Sequence, residues 1–594
     1  MTEPLIWGFG LSTQAEPLLQ RLLRAGVIAR VALPPQGEGW RSHELSRFLG
    51  DTWSRGQALV AVGACGAITR LVAPLLQGKD SDPAVVVLDP AGRFAVPLLG
   101  GHGAGGEALA QRIAALLGGE AVLTGASAAA GQVALDAFGT PWGWRRGGGD
   151  WSDLIKRAQR QQPPALRHDH GNDRWRQLPG LQGWQADPNQ PPLVVSVEPG
   201  PGCRWHPPAL WLGIGCERGT SVSLLERLVE QGLAAQGLAA EAVAGLASAE
   251  RKADEPALLE LAERRGWPLR CFSSPELAAV EVPNPSAVVL EELGTASVAE
   301  AAALLAAGPG CALRQTKRIE RAQGQEQGAA TLAIAQARQQ WAPQRGQLHL
   351  IGSGPGSLEL LTPDARAALA ESCVWVGYGL YLDLLEPLRR PDQLRSDGTL
   401  TEERQRCQEA LELACQGLTV ALVSSGDSGI YGMAGLALEQ WMALAEADRP
   451  RFNVHPGISA LQLAAARAGA PLMHDFCTIS LSDRLTPWEV IERRLVAAAA
   501  GDFVVALYNP RSRGRDWQLA RAQELLLAGR PASTPVVLAR QLGRAEEAVS
   551  LHNLGNLPVE QVDMLTLVLV GNSTSRVEGG RMVTPRGYPG AELS

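Results

Sequence analysis

Residues Leu348-His349-Leu350-Ile351-Gly352-Ser353-Gly354-Pro355-Gly356 run a short apolar strand straight into a loop of three glycines and a proline. Glycine permits left-handed backbone and a close approach that any side chain would block, so such a loop marks a place where backbone meets backbone or ligand. The next helix does not start on the loop. Ser357-Leu358-Glu359-Leu360-Leu361 intervenes before Thr362-Pro363-Asp364, where Thr is an N-cap and Pro sits in the first turn. The pattern therefore differs from a dinucleotide fingerprint, in which the helix N-terminus faces a pyrophosphate. Alone, the loop reads either as a tight turn or as a rim of free N–H groups for a small polar ligand.

Two further units repeat it. Leu418-Thr419-Val420-Ala421-Leu422-Val423 ends in Ser424-Ser425-Gly426-Asp427-Ser428-Gly429-Ile430-Tyr431-Gly432-Met433-Ala434, and Phe452-Asn453-Val454-His455 ends in Pro456-Gly457-Ile458-Ser459-Ala460. In an open α/β sheet such loops gather at the carboxyl ends of the strands, where ligands bind. With Ser480-Leu481-Ser482-Asp483-Arg484-Leu485-Thr486-Pro487-Trp488-Glu489 and Leu507-Tyr508-Asn509-Pro510-Arg511-Ser512-Arg513, these motifs resemble the tetrapyrrole methylases, and among them the precorrin-3B 17-methyltransferases of cobalamin synthesis. The resemblance covers residues 347–585. It implies a fold of two α/β subdomains, about 347–455 and 456–585, with S-adenosylmethionine in the cleft between them. The implied cofactor residues are Gly352, Gly354, Pro355, Gly356, Gly426, Asp427, Ser428, Gly429, Ile430, Tyr431, Pro456, Gly457, Ser459, Ala460, Leu507 and the strand end at Gly571. Asp427 is alternatively a turn residue satisfying its neighbours' N–H groups.

Methyl transfer to carbon is a direct displacement that needs positioning and exclusion of water rather than a nucleophilic side chain. The implied tetrapyrrole carries acetate and propionate carboxylates. Arg511, Arg513 and Arg515, at alternate positions after a strand end, either grip these carboxylates, with Ser482 as a further substrate contact, or form a solvated loop. Ring contraction also moves protons, for which Asp427, Asp483, Tyr508 and Asn509 are candidates. The resemblance further implies a homodimer through this half.

At 594 residues the chain is too long for one core. Its net charge of −7 argues against a nucleic-acid or acidic-membrane surface. The nine cysteines are odd in number and never spaced Cys-x-x-Cys, which reads as reduced thiols without a disulfide framework or metal site. No apolar run reaches the roughly 20 residues of a membrane span, and the start lacks a basic signal, so the expected location is the cytoplasm.

The front of the chain alternates strand and helix over residues 1–139. Its glycine-rich loop Gly100-Gly101-His102-Gly103-Ala104-Gly105-Gly106 opens a helix, and His102 there is either part of a turn or a group that binds or protonates a carboxylate or lactone oxygen. Residues 140–208 are rich in Trp and Pro and read as a small irregular module. Regular α/β pattern resumes over 209–317, with Gly213-Ile214-Gly215-Cys216-Glu217-Arg218-Gly219-Thr220-Ser221, Lys252-Ala253-Asp254-Glu255-Pro256 and Gly294-Thr295-Ala296-Ser297-Val298-Ala299-Glu300-Ala301. These motifs resemble cobalt-precorrin-5A hydrolase, which opens a δ-lactone and releases acetaldehyde. The loops carrying His102, Glu217 and Lys252 each follow a strand end and carry polar groups with no obvious local use, so they are expected to converge in one site, with His102 as the base, Lys252 or Arg218 as the oxyanion donor and Glu217 or Asp254 orienting them. Where that family tends to Gly-Gly-Ala-Asn, this chain has Ala104-Gly105-Gly106-Glu107, so the front half is either a lactonase or a non-catalytic corrinoid-binding module. Residues 318–346 read as a linker, with a helix over 329–340 or no fixed structure. The whole is expected to be a multidomain α/β enzyme. A methylase acting on another tetrapyrrole position is the alternative for the back half.

Overall fold

Runs such as Leu59–Val62, Val85–Leu88 and Thr419–Ser424 are buried at nearly every position and apolar through their middles, which suits strands covered on both faces. The computed structural model describes the chain except for residues 1–4, 36–38, 56–57, 79–80, 102, 126–132, 161–163, 182–190, 288–289, 292–294, 341–345, 400–401, 513 and 589–594. Among the described residues the strands form six sheets. The first runs Arg30–Ala32, Trp7–Gly10, Leu59–Val62, Val85–Leu88, Phe94–Leu99, Glu120–Ala121, and is parallel except where Phe94–Leu99 folds back on Val85–Leu88.

The Trp-rich module holds a four-stranded sheet of very short strands, Arg145–Arg146, Arg204–His206, Leu193–Val195 and Leu166–His168. Its aromatic side chains supply the order that strands of this length cannot. Trp142, Trp175 and Trp205 are buried, and Phe138 packs edge-on against Trp144 and Trp205.

The third sheet corrects the expected linker. Its order is Leu269–Phe272, Val243–Ala249, Leu210–Cys216, Ala329–Gln336, Ala312–Arg321, so the stretch read as a tethering helix is a strand hairpin completing the front half. The alanines concealed a period of two: Ala330, Leu332 and Ile334 enter one buried cluster, Ala333 and Ala335 another. The second cluster is built on helix Ala299–Ala307, which lies so close to the sheet that a Cβ on Gly213 would fall 1.9 Å from the Ala299 carbonyl oxygen.

The back half contains a parallel sheet, Leu394–Gly398, Val374–Tyr378, Thr419–Ser424, Gln347–Gly352, Arg451–His455, and a mixed one, Phe476–Ser480, Val504–Tyr508, Thr566–Val570, Pro535–Arg540, Ala548–Asn553. A small three-stranded sheet, Gly469–Ala470, Arg581–Val583 and Arg576–Glu578, accompanies the second. Thr362 caps helix Pro363–Glu371 by accepting the Ala365 N–H at 3.2 Å. The nine cysteines are unpaired; burial pushes the Cys373, Cys407 and Cys415 thiols up to about 12, whereas Cys65 is exposed.

Front and back halves are joined by more than the chain. Trp142, Trp144 and Trp175 share one buried cluster with Leu348, Leu350 and Val374 of the parallel sheet. Around it, Gln340 Nε2 donates to the carbonyls of Trp142 (2.6 Å) and Gln416 (3.0 Å), Asn172 Nδ2 donates to Gln416 Oε1 (2.9 Å), and Arg174 pairs with Glu409. Arg112 on helix Gly106–Leu117 pairs with Glu371 at 3.1 Å. On the other face of strand Gln347–Gly352, His349 meets His455 (Nδ1 to Nε2, 2.9 Å), and His455 Nδ1 meets Asp364 Oδ2 at 2.6 Å. Burial, reinforced by the neighbouring His455, pushes His349 down to about 3.

Two outcomes are expected. Because module and parallel sheet share a core, Trp175→Ala should cost about 3–5 kcal/mol and shift the module and that sheet in one transition on thermal denaturation. Separate melting, with the back half unmoved, would contradict the shared core. A histidine whose folded pKa is depressed is protonated first in the unfolded chain, so its contribution is complete above its ordinary value of 6.5 and is lost as pH falls toward about 3. The slope is at most about 1.4 kcal/mol per pH unit, and His349→Gln should flatten it in urea titrations. Asp364, held below its ordinary value by His455, adds to the loss only at lower pH.

Candidate functional site

Strands Gln347–Gly352, Thr419–Ser424 and Arg451–His455 are parallel neighbours, so their following loops emerge together. Gly354 and Gly426 exchange backbone hydrogen bonds at 3.1 and 2.7 Å. A Cβ on Gly457 would lie 2.1 Å from the Gly426 oxygen and 2.5 Å from the Gly352 oxygen, and one on Gly352 would lie 2.5 Å from the Gly457 nitrogen. Only glycine fits at this crossing. Asp427 locks it: Oδ1 accepts the Gly429 N–H at 2.9 Å and Oδ2 the Gly457 N–H at 3.1 Å. The Ser428 hydroxyl beneath is fully buried and has no hydrogen-bond partner among the described residues.

Above the crossing lies a cleft between the two back-half sheets. Pro355, Gly426, Asp427, Ile430, Tyr431, Ser459, Ala460, Tyr508 and Asn509 line it, all of them named from the sequence. The rings of Tyr431 and Tyr508 stand 5.1 Å apart. Tyr508 Oη accepts the Leu461 N–H at 3.1 Å, and burial raises its pKa, so the phenol keeps its proton. Four non-glycine residues among those described have left-handed backbone, and three of them, Tyr431 (φ 54°), Asn509 (φ 52°) and Gln541 (φ 49°), line this cleft. Each such residue stores about 1–3 kcal/mol of strain, which concentrates where a side chain must be aimed.

Several expected residues sit elsewhere. Gly571 follows strand Thr566–Val570, which runs antiparallel to Val504–Tyr508, so Val570 pairs with Val505 and Gly571 lies at the end of the sheet away from Tyr508. The start of that strand, from Met564 to Leu567, lines the cleft instead. Leu507 points into the core and is 1% exposed, since alternation along its strand sends only its neighbour Tyr508 to the cleft. Gly356 serves a side chain: its Cβ would lie 2.9 Å from Arg544 Cγ. Asp483 accepts from Gln518 Nε2 at 3.1 Å and the Ser482 N–H donates to Ser480 Oγ at 3.3 Å; neither lines the cleft.

The expected arginine grip is not assembled from the described residues. Arg511 Nη1 donates to the Val559 carbonyl (3.1 Å) and Glu560 (2.9 Å), while Arg515 donates to the carbonyls of Leu481 and Asn509 and to Ser512 Oγ. These donors brace their own loop, and Arg513 lies outside the described residues. Tyr381, Gln541, Arg544 and Thr566 line the cleft without having been named from the sequence. Gly543-Arg544 after a strand end was a glycine-turn signal like the others, but it lay in no recognised motif.

In the front half, the Cys216–Arg218 and Lys252–Glu255 loops do meet, at the carboxyl ends of adjacent parallel strands. Arg218 donates to Asp254 (2.7 Å) and to the Arg251 carbonyl (2.6 Å), and the buried Glu255 accepts the Gly219 N–H (3.1 Å) beside Arg218 (3.6 Å) and Lys252 (3.8 Å). Burial pushes the Cys216 thiol up to about 11. The Glu217 backbone N–H pairs with Ala329. His102 lies outside the described residues. Its neighbour Gly103 faces Arg146, and the adjacent Arg145 donates to carbonyls of Glu241 and Val243 at the start of strand Val243–Ala249. The Lys252–Glu255 loop follows the other end of that strand, about 20 Å from its start at the rise of an extended chain. Glu300 is buried as a brace, accepting from Asn284 N and Nδ2 (3.1 and 2.8 Å) and from Lys317 N (2.9 Å).

Residues 347–558 match the family described as Tetrapyrrole (Corrin/Porphyrin) Methylases. Residues 47–128 match Cobalamin synthesis G N-terminal, and residues 210–335 match Cobalamin synthesis G C-terminus, which takes in the hairpin first read as a linker. A Salmonella typhimurium protein named "Probable cobalt-factor III C(17)-methyltransferase" is 50% identical over 241 residues, 41% of this chain and 99% of its own length. The precorrin-3B C(17)-methyltransferase of a Sinorhizobium species is 44% identical over 252 residues, 41% of this chain and 98% of its own. A crystal structure of the methyltransferase CobJ is 41% identical and covers 40% of this chain and 100% of its own, with a TM-score of 0.39. No helix among the described residues is long and apolar enough to cross a membrane. Matched at such identity over nearly the full length of those relatives, the chain belongs, through its back half, to the tetrapyrrole methylases.

Proposed function

We propose that the chain is a two-part enzyme of cobalamin biosynthesis, whose back half transfers a methyl group from S-adenosylmethionine to ring carbon 17 of precorrin-3B or its cobalt-bearing form, with contraction of the ring. The observation that carries this reading is the glycine crossing of Gly352, Gly426 and Gly457, locked by Asp427 beneath a cleft walled by two tyrosines. The cradle is backbone with no room for a Cβ, and the Tyr431 and Tyr508 rings suit a sulfonium cation, which aromatic faces attract. Bound there, S-adenosylmethionine supplies an electrophilic methyl group.

The protein's own part is to hold two reactants in line and to keep water out. With both Asp427 oxygens accepting backbone amides, that carboxylate shapes the site. Asp427, Tyr508 and Asn509 are the proton-handling candidates that line the cleft. Tyr508 keeps a donatable proton, and Asn509 is aimed by its Nδ2 bond to Ser480 Oγ at 3.0 Å. Homodimerisation through the back half is part of the same proposal.

For the front half, the resemblance favours opening of the cobalt-precorrin-5A lactone with release of acetaldehyde. A second reading, a corrinoid-binding module without catalysis, is favoured by one observation: Arg218 and Lys252, the expected oxyanion donors, are already faced by Asp254 and Glu255.

In the full chain, Gly457→Ala should weaken S-adenosylmethionine binding more than about tenfold in calorimetry, since its Cβ can be accommodated only by parting the crossing. Gly435→Ala, where an added Cβ meets nothing within 4 Å, should leave affinity unchanged. Equal affinity in both variants would remove the crossing from the cofactor site.

A further inference from the structure

Among the charged and phenolic side chains lining the cleft, most are already engaged. Asp427 holds two amides, Tyr508 accepts the Leu461 N–H, and Tyr431 Oη donates to Thr478 Oγ1 at 3.4 Å. Arg544 and Tyr381 differ: neither side chain has a hydrogen-bond or ion-pair partner among the described residues.

The loop that carries Arg544 keeps its charge uncompensated. It leaves strand Pro535–Arg540 through Gln541 and Gly543 (φ 71°), both in left-handed conformations, and closes with the Arg544 N–H on the Gln541 carbonyl at 3.1 Å. Its two acids face other groups. Glu547 accepts the Gly543 N–H at 2.7 Å and pairs with Arg467 at 2.6 Å, and Glu546 accepts from Gln541 Nε2 at 2.9 Å. The aliphatic stem of Arg544 crosses Gly356, where any side chain would displace it, and so extends from the second back-half subdomain onto the first glycine loop of the other. Tyr381 comes from helix Gly379–Leu385 in the first subdomain. Burial raises its pKa, so the phenol keeps its proton, and Tyr381 and Arg544 line the same cleft from opposite subdomains.

We infer that Arg544 and Tyr381 form a carboxylate-binding subsite in the cleft. A guanidinium takes a carboxylate bidentately, and a protonated phenol adds a third donor to the same anion. The inference rests on the proposed function, which brings two carboxylate sources here: the acetate and propionate groups of the tetrapyrrole, and the α-carboxylate of the cofactor. With a tetrapyrrole carboxylate as occupant, the subsite would take the role that the sequence suggested for the Arg511–Arg515 loop.

The test uses the full-length protein with Arg544→Gln, Arg544→Lys and Tyr381→Phe, and calorimetric affinities for S-adenosylmethionine and for a carboxylate-bearing corrinoid or precorrin, alongside KM values. Loss of a charged hydrogen-bonding pair predicts about ten- to a hundredfold weaker binding of one ligand in Arg544→Gln. Arg544→Lys should recover part of it, and Tyr381→Phe should show a smaller loss for the same ligand. A loss confined to the tetrapyrrole, absent for its methyl ester, assigns the subsite to a substrate carboxylate; a loss confined to S-adenosylmethionine assigns it to the cofactor. Unchanged affinity for both in Arg544→Gln overturns the subsite. These are binding measurements, so a parent protein that binds both ligands without methyl transfer contradicts the proposed function and still decides the subsite.

Discussion

Three backbone segments of the back half meet closer than any Cβ permits, held by a backbone exchange between Gly354 and Gly426 and by one carboxylate. The Gly352, Gly426 and Gly457 loops come from strands adjacent in the parallel sheet, and Asp427 ties two of them by accepting amides from Gly429 and Gly457. A half-buried carboxylate is stable against backbone N–H groups because those bonds replace part of its water. One wall of the cleft takes its position from this knot: Pro355 belongs to the first loop, Ile430 and Tyr431 to the second, Ser459 and Ala460 to the third, while Tyr508, Asn509, Gln541, Arg544 and Met564 to Leu567 come from the second sheet and its loops. The Ser459 hydroxyl caps the helix beginning at Ala460, fixing the third loop from its far side.

The same sheet carries the union of the two halves. Its face away from His349 is covered partly by the Trp-rich module, and its helix Pro363–Glu371 meets the front helix Gly106–Leu117 through Arg112 and Glu371. The chain is therefore one packed object around the parallel sheet, with the front half's third sheet attached through contacts such as Arg270 to Asp448 at 2.9 Å.

What could be read from the sequence follows the range of the forces involved. Local rules worked where the cause was local: Thr362 caps its helix, glycine loops follow parallel strands, and the loops gather at one sheet edge. Direction within a sheet is non-local, which is why Gly571, a glycine after a strand like the others, was placed at the wrong end of an antiparallel strand. Ala329–Gln336 looked helical because alanine suits helices, and its period of two became visible only against the two clusters on either side. Arg511 and Arg515 had the spacing of a grip, but spacing does not reveal that nearby carbonyls already occupy the donors. Arg544 is silent in the sequence for the complementary reason: its significance lies in a side chain that has no hydrogen-bond or ion-pair partner among the described residues.

The central claim is that the knot and its cleft place a methyl group on ring carbon 17 of a contracting tetrapyrrole. The most direct measurement supplies the full-length protein with precorrin-3B, or its cobalt form, and S-adenosylmethionine carrying a 13C methyl group, then locates the label by mass spectrometry and NMR. The account predicts a ring-contracted product with one labelled methyl at carbon 17. A product labelled at another ring position, or no labelled product from a protein that binds both ligands, would contradict it.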